Sequence, residues 1–267
     1  MKENNKIKSI LSCLLLTLSF YLLSNIIDVV LTIIFGNYIG VKYEFLASPI
    51  TSFMLLLLII IVYKDIINSS EFNFKLLDLK IILKIILLGL LLRIFRDPLF
   101  MFPQLVKILE IPKINNAVSN DLLNHLIYII NLVFIIPIVE EIIFRKIMFK
   151  QLASFKPVWI ILYSSLLFSL IHINPFIIPG SLITAIGAFI FGIFAGVIYF
   201  SSKNLLYVVI LHSVANFISY MIKINQSIYN DIQRSLNFNL IYWLLIISSL
   251  VASVVILKFI RGKYIPR

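Results

Sequence analysis

The sequence predicts an all-α fold, a polytopic membrane helix bundle of about eight transmembrane helices. Three observations carry this. The 267 residues are 61 % hydrophobic and only 13 % charged, with a mean hydropathy of +1.06; soluble domains are nearer half apolar and a quarter charged. A core of this size cannot bury so much apolar surface, so lipid must act as solvent. The apolar residues also fall in blocks of about 20, the length that crosses hydrocarbon as a helix. Lastly, the lone Cys13 lies inside such a block, leaving no disulfide framework and no cysteine-based metal site. A soluble enzyme, a disordered chain and a nucleic-acid-binding domain are excluded. The net charge of +11 fits basic loops beside anionic lipid rather than nucleic acid as partner.

The blocks follow in order. Ile10–Phe35 comes after Lys2, Lys6 and Lys8; it is too long for a signal peptide, lacks a small-residue cleavage site, and reads as a retained helix. Phe45–Tyr63 is the second. Ile81–Met101 is the third, interrupted near its ends by Lys84, Arg93, Arg96 and Asp97, which can snorkel. Leu122–Ile143, Pro157–Ile173, Ser181–Phe200, Asn204–Ile222 and Leu240–Phe259 complete the set. The connector Asp65–Lys80 is polar and mixed. The connector Pro98–Asp121 carries Phe102, Pro103, Leu105, Ile108 and Leu109, and suits a short interfacial helix. Gly192 and Gly196, preceded by Ala188, put small residues four apart in the sixth block, a pattern for close helix packing. The whole reads as one structural domain in three stretches. Membrane helices and a connector run to residue 121, a core covers 122–222, and a last helix with a basic tail covers 223–267. With the N-terminus inside, 16 of the 23 Lys and Arg fall on the inner side, which places both termini in the cytoplasm of a cell membrane.

Acids inside hydrocarbon are costly and call for a function. Of the 12 acids, Asp28, Glu140 and Glu141 fall well inside a block. Asp28 has no assigned role from sequence. Glu141 and Arg145 are four apart and share a helix face, as an ion pair would require. Glu140 points about 100° away, so one carboxylate is paired and its neighbour stands beside a like charge, a setting suited to general base work. The two would titrate as a unit. The plain alternative puts both at the wet end of their helix. Three histidines accompany them. His125 stands near the start of its block and has no evident role. Phe168 and His172 share a face, as do His212 and Asn216. At 1.5 Å per residue, Glu140 lies about 15 Å from Lys150 and His212 about 12 Å from Asn204, but His172 lies about 22 Å from Pro157, a mismatch in depth.

The set Glu140-Glu141-x-x-x-Arg145, Phe168-x-x-x-His172 and His212-x-x-x-Asn216 resembles the CPBP family, the CAAX-protease and bacteriocin-processing membrane proteins also called Abi proteins. Order and spacing agree over Leu122 to Ile222, and the approach from Phe191 through Gly196 and Asn204 to His212 is similar as well. The resemblance implies an intramembrane endopeptidase acting on a membrane-anchored protein or peptide. In it Glu140 and His172 would activate water, His212 and Asn216 would stabilise the oxyanion, and Glu141, Arg145 and Phe168 would support them. Members are often labelled metalloproteases, and Glu140, His172 and His212 would make an acceptable zinc set with an open position. No His-Glu-x-x-His motif occurs, and a glutamate-dependent route without a metal cofactor is the preferred expectation. Two other function classes compete. One is a non-catalytic membrane scaffold or bacteriocin-immunity protein. The other is a proton-coupled transporter, disfavoured by the lack of an inverted repeat or paired broken helices.

Overall fold

Eight helical rods occupy the eight predicted blocks, and among the described residues no strand occurs. The computed structural model describes residues 2–40, 46–67, 77–106, 122–174, 178–236 and 238–264. Helix α1 (Lys2–Ile34) runs into a π-helical turn, Phe35–Gly40. Helix α2 (Ala47–Val62) is followed by one further turn, Lys64–Ile67. Helix α3 is Leu79–Val106, α4 is the continuous run Leu122–Gln151, and α5 is Pro157–Leu170. Helices α6 (Ile178–Ser202), α7 (Leu205–Ile224), α8 (Gln226–Leu236) and α9 (Leu240–Tyr264) complete the chain. Five segments are long and apolar enough to cross a membrane: Asn5–Asn37, Leu122–Gln151, Ser181–Ser202, Leu205–Ile224 and Leu240–Tyr264. Helices close every backbone hydrogen bond within the segment, which hydrocarbon demands. Five spans of this length and composition make the chain a multi-pass membrane protein.

Large apolar side chains cover the outside, among them Leu15, Leu22, Val29, Leu244 and Val251. The interior mixes apolar residues such as Ile85, Leu88, Phe144, Leu167 and Val208 with the polar Glu141, Arg145, Ser164, Ser165 and His212. This is the arrangement lipid imposes: polar groups gain nothing by facing outward and find partners only within the bundle.

Three differences from expectation have local causes. Helix α3 continues past Met101 to Val106, so the first part of the connector Pro98–Asp121 belongs to it; residues 107–121 of that connector lie outside the described residues. The fifth block, expected to reach Ile173, is helical only to Leu170. His172 N–H donates to Ser169 O at 3.1 Å and Ile173 N–H to Leu170 O at 3.1 Å, and these tighter turns end the α-helix. Fourteen helical residues rise about 21 Å, less than the roughly 30 Å of hydrocarbon. Helix α8 was not foreseen. Its Ile228, Ile232 and Leu236 recur every four residues amid Asn, Asp, Gln and Arg. Ile228 and Ile232 stay exposed, the pattern of a helix lying along an interface.

The small-residue stripe of α6 sets its distance from α5. A Cβ added at Gly192 would come within 2.9 Å of Ser165 Cβ, and one at Gly196 within 3.0 Å of Ile161 Cγ2. Ala188 and Ala195 on the same helix are buried. Gly192→Leu is therefore expected to lower stability by about 1–3 kcal/mol through forced separation. Gly262→Ala, with nothing within 4 Å, should not destabilise. Thermal unfolding in detergent reads both, and equal responses would show that the stripe is not a packing contact.

Candidate active site

Helix α4 carries both glutamates, and its backbone is irregular on either side of them. The segment Ile136–Glu141 is α-helical, while Ile130–Ile135 before it and Ile142–Ile147 after it are π-helical. Pro137 is part of the cause. In the π register Ile136 N–H reaches Asn131 O, so the next carbonyl, Leu132 O, would be served by residue 137. Proline has no N–H to give. Asn216 of α7 supplies the donor: its Nδ2 donates to Leu132 O at 2.9 Å. A carbonyl left free by local chemistry is thus used to dock α7 against α4 at the level of the glutamates.

One turn earlier on α7, His212 meets Glu141. Arg145 Nε lies 3.2 Å from Glu141 Oε2, and His212 Nδ1 lies 2.9 Å from Glu141 Oε1. Glu141 and Arg145 have no exposed side-chain surface. The expected i,i+4 ion pair is present, and the carboxylate serves two partners. An ionised carboxylate only accepts, so His212 carries its proton on Nδ1 toward Glu141. Its other nitrogen, Nε2, then faces Glu140 Oε2 across 3.8 Å. Glu140 Oε2 is thus within ion-pair distance of His212 but beyond hydrogen-bond reach.

Phe168 joins the third motif to these two. Its ring is 4.9 Å from the Arg145 guanidinium carbon, a cation–π contact. It lies edge-on to Phe144 at 5.3 Å and to His212 at 5.8 Å, and 4.8 Å from the His172 ring. The ring of Phe191 on α6 lies 5.1 Å from that of His212, tilted by 57°. His172 Nδ1 is 2.8 Å from Phe168 O; a carbonyl only accepts, so Nδ1 donates and Nε2 presents the lone pair. His172 and His212 both flank Phe168, so they lie at comparable depth. The 22 Å estimate misled because α5 and α7 do not begin at one level.

Glu140 opens onto a cavity of about 270 Å³. Its wall includes Val139 and Ile136 of α4, Ile171 beside His172, and a polar face from α1 and α2. Sequence reasoning gave that polar face no role. Tyr21, Ser24, Asn25 and Asp28 on α1, and Ser48, Thr51 and Ser52 on α2, are spaced by three, four and seven, the repeat of one helix face; that spacing was the available signal. Asn131 of α4 donates to Ser48 Oγ at 3.1 Å. His125 lies elsewhere, 2.8 Å from Tyr220 Oη, holding α4 to α7. Cys13 is free and buried.

Zinc would need three donors drawn together. Among the described residues no group of three His, Cys, Asp or Glu is placed to hold a metal ion. Glu140, His172 and His212 are therefore not drawn together as a zinc set in this arrangement, although His172 and His212 each keep Nε2 free of the bond that Nδ1 makes.

Residues 122–218 match one family model, described as type II CAAX prenyl endopeptidase, Rce1-like. No curated protein and no solved structure matches the chain.

Asn216→Ala leaves Leu132 O without a donor, a loss of about 1–3 kcal/mol. Pro137→Ala added to it restores a backbone N–H at the right place and should recover part of the loss in thermal unfolding. Failure of the double variant to recover any stability would show that Asn216 does not serve that carbonyl.

Proposed function

We propose that this chain, whose residues 122–218 belong to the Rce1-like family of type II CAAX prenyl endopeptidases, is an intramembrane endopeptidase that hydrolyses its substrate with a water activated by Glu140 and His172. One observation carries the reading: Glu140 Oε2 is buried without a hydrogen-bond partner on the wall of a cavity, beside an imidazole whose far side is locked. A carboxylate kept idle within a bundle is costly, and an acceptor facing a polar cavity is placed to take a proton from water.

The chemistry follows from the atoms. Water sits between Glu140 and the Nε2 lone pair of His172. As its oxygen bonds to the peptide carbonyl carbon, one water proton passes to Glu140. The developing oxyanion accepts from a proton on His212 Nε2 and from the second Nδ2 hydrogen of Asn216, fixed donors that need no reorganisation. The C–N bond then breaks, and Glu140 returns its proton to the leaving amine. Glu141, Arg145 and Phe168 are positioning residues: they fix the tautomer and plane of His212, as a buried acid does for a catalytic imidazole.

A membrane-associated or peptide substrate is supported by a second, mostly apolar groove of about 490 Å³ between α1 and α2. It shares Phe20 and Leu55 with the first cavity, which gives a route from the bilayer to Glu140. Both termini are placed on the cytoplasmic side by the bias of Lys and Arg. No cofactor is assigned.

With purified protein and a membrane-anchored peptide, Glu140→Ala and His172→Ala are each expected to lower kcat at least about 100-fold while thermal unfolding stays near wild type; a chelator leaves the rate unchanged. Equal cleavage by wild type and Glu140→Ala would refute the reading, and loss of activity with chelator, restored by metal, would refute the metal-free route.

A further inference from the structure

The polar wall opposite Glu140 belongs to α1 and α2, outside the residues matched to the family. Its one charged group is Asp28. Thr51 Oγ1 donates to Asp28 Oδ1 at 3.5 Å, a long contact. Among the described residues no Lys, Arg or His lies within ion-pair distance of Asp28, whereas Glu141 has Arg145 and Glu140 faces His212. Among the described residues the cavity wall holds two acids, Asp28 and Glu140, and no basic residue. Around them stand donors and acceptors without charge: Tyr21, Ser24, Asn25, Ser48 and Ser52. A half-buried carboxylate in a bilayer-embedded cavity attracts a cation more strongly than it would in water, and hydroxyl and amide neighbours can complete the coordination of an ammonium or guanidinium group.

We infer that Asp28 is a specificity-determining residue that accepts a cationic side chain, Lys or Arg, of the substrate close to the bond that Glu140 attacks. The inference rests on the endopeptidase reading and names the substrate class for that site: a peptide with a basic residue near the scissile bond. Asp28 and Glu140 line one cavity of about 270 Å³, so a side chain held at Asp28 fixes the backbone beside Glu140. This explains an acid that an apolar helix would otherwise not keep. It also explains why Asp28 stands on a stripe of polar residues rather than alone.

The test uses the full chain in lipid nanodiscs and membrane-anchored peptides that carry Lys, Gln or Glu at one position, stepped along the peptide. Wild type is expected to cut the best Lys peptide with a KM about tenfold below that of its Gln counterpart. Asp28→Asn should raise the KM of the Lys peptide about tenfold and that of the Gln peptide far less, and Asp28→Lys should shift preference to the Glu peptide. The inference is overturned if wild type does not prefer Lys at any position, or if Asp28→Asn impairs Lys and Gln peptides alike. If no peptide is cut, or if Glu140→Ala cuts as well as wild type, the endopeptidase reading fails separately. Fluorescence anisotropy of the same Lys and Gln peptides then decides the cation site: Lys-selective binding that Asp28→Asn abolishes supports it, and equal binding overturns it.

Discussion

A carboxylate with no exposed surface, ion-paired with a guanidinium on one side and hydrogen-bonded to an imidazole on the other, sets the terms for the rest of this molecule. Glu141 cannot be solvated where it stands, and Arg145 cannot either. Breaking such a pair by removing one partner leaves a buried charge, at about 3–5 kcal/mol. The pair is intrahelical and could form in any helix with that spacing. What makes it specific is the third member, His212, which lies 71 residues away in sequence and ties α7 to α4. Once that bond is made, the ring plane of His212 is fixed, Nε2 faces Glu140, and the edge of Phe168 can pack against the same ring. Phe168 in turn carries His172 into place.

The fold can be understood as the means of bringing that cluster into lipid. The exterior is apolar because its solvent is apolar. The interior holds the polar groups because only the bundle can satisfy them. Regular helices would leave no spare acceptors, yet α4 has π-helical turns on both sides of its glutamates. Those irregularities are supplied with partners from neighbouring elements, as Leu132 O is by Asn216. Close helix approach at Gly192 and Gly196 brings α6 against α5, so that Phe191 reaches His212 beside Phe168.

Much of this was legible in the sequence, for physical reasons. Blocks of about 20 apolar residues mark helices because the bilayer has a thickness. Glu141 and Arg145 could be paired because their spacing is local. Phe168 with His172, and His212 with Asn216, could be placed on common faces for the same reason. The links between those faces were not legible. That His212 would turn toward Glu141 as well as Glu140 depends on how α7 crosses α4. That Asn216 would serve a backbone carbonyl depends on a π register that no residue pattern announces, though Pro137 marks the place. Depth failed for His172 because it was counted from a helix end whose level the sequence does not give. Asp28 looked isolated because its partners in the cavity come from α2 and α4; the repeat of polar residues on α1 and α2 was visible, but its meaning was not.

The account stands or falls on the bond between Glu141 and His212, and nitrogen NMR of histidine-labelled protein in nanodiscs reads it directly. The structure requires both His172 and His212 to carry a hydrogen-bonded proton on Nδ1. On Glu141→Gln the His212 Nδ1 proton signal should shift strongly upfield while that of His172 stays in place. A His212 found as the Nε2–H tautomer in the wild type, or one whose signal ignores the loss of the Glu141 carboxylate, would contradict the proposed architecture of the site.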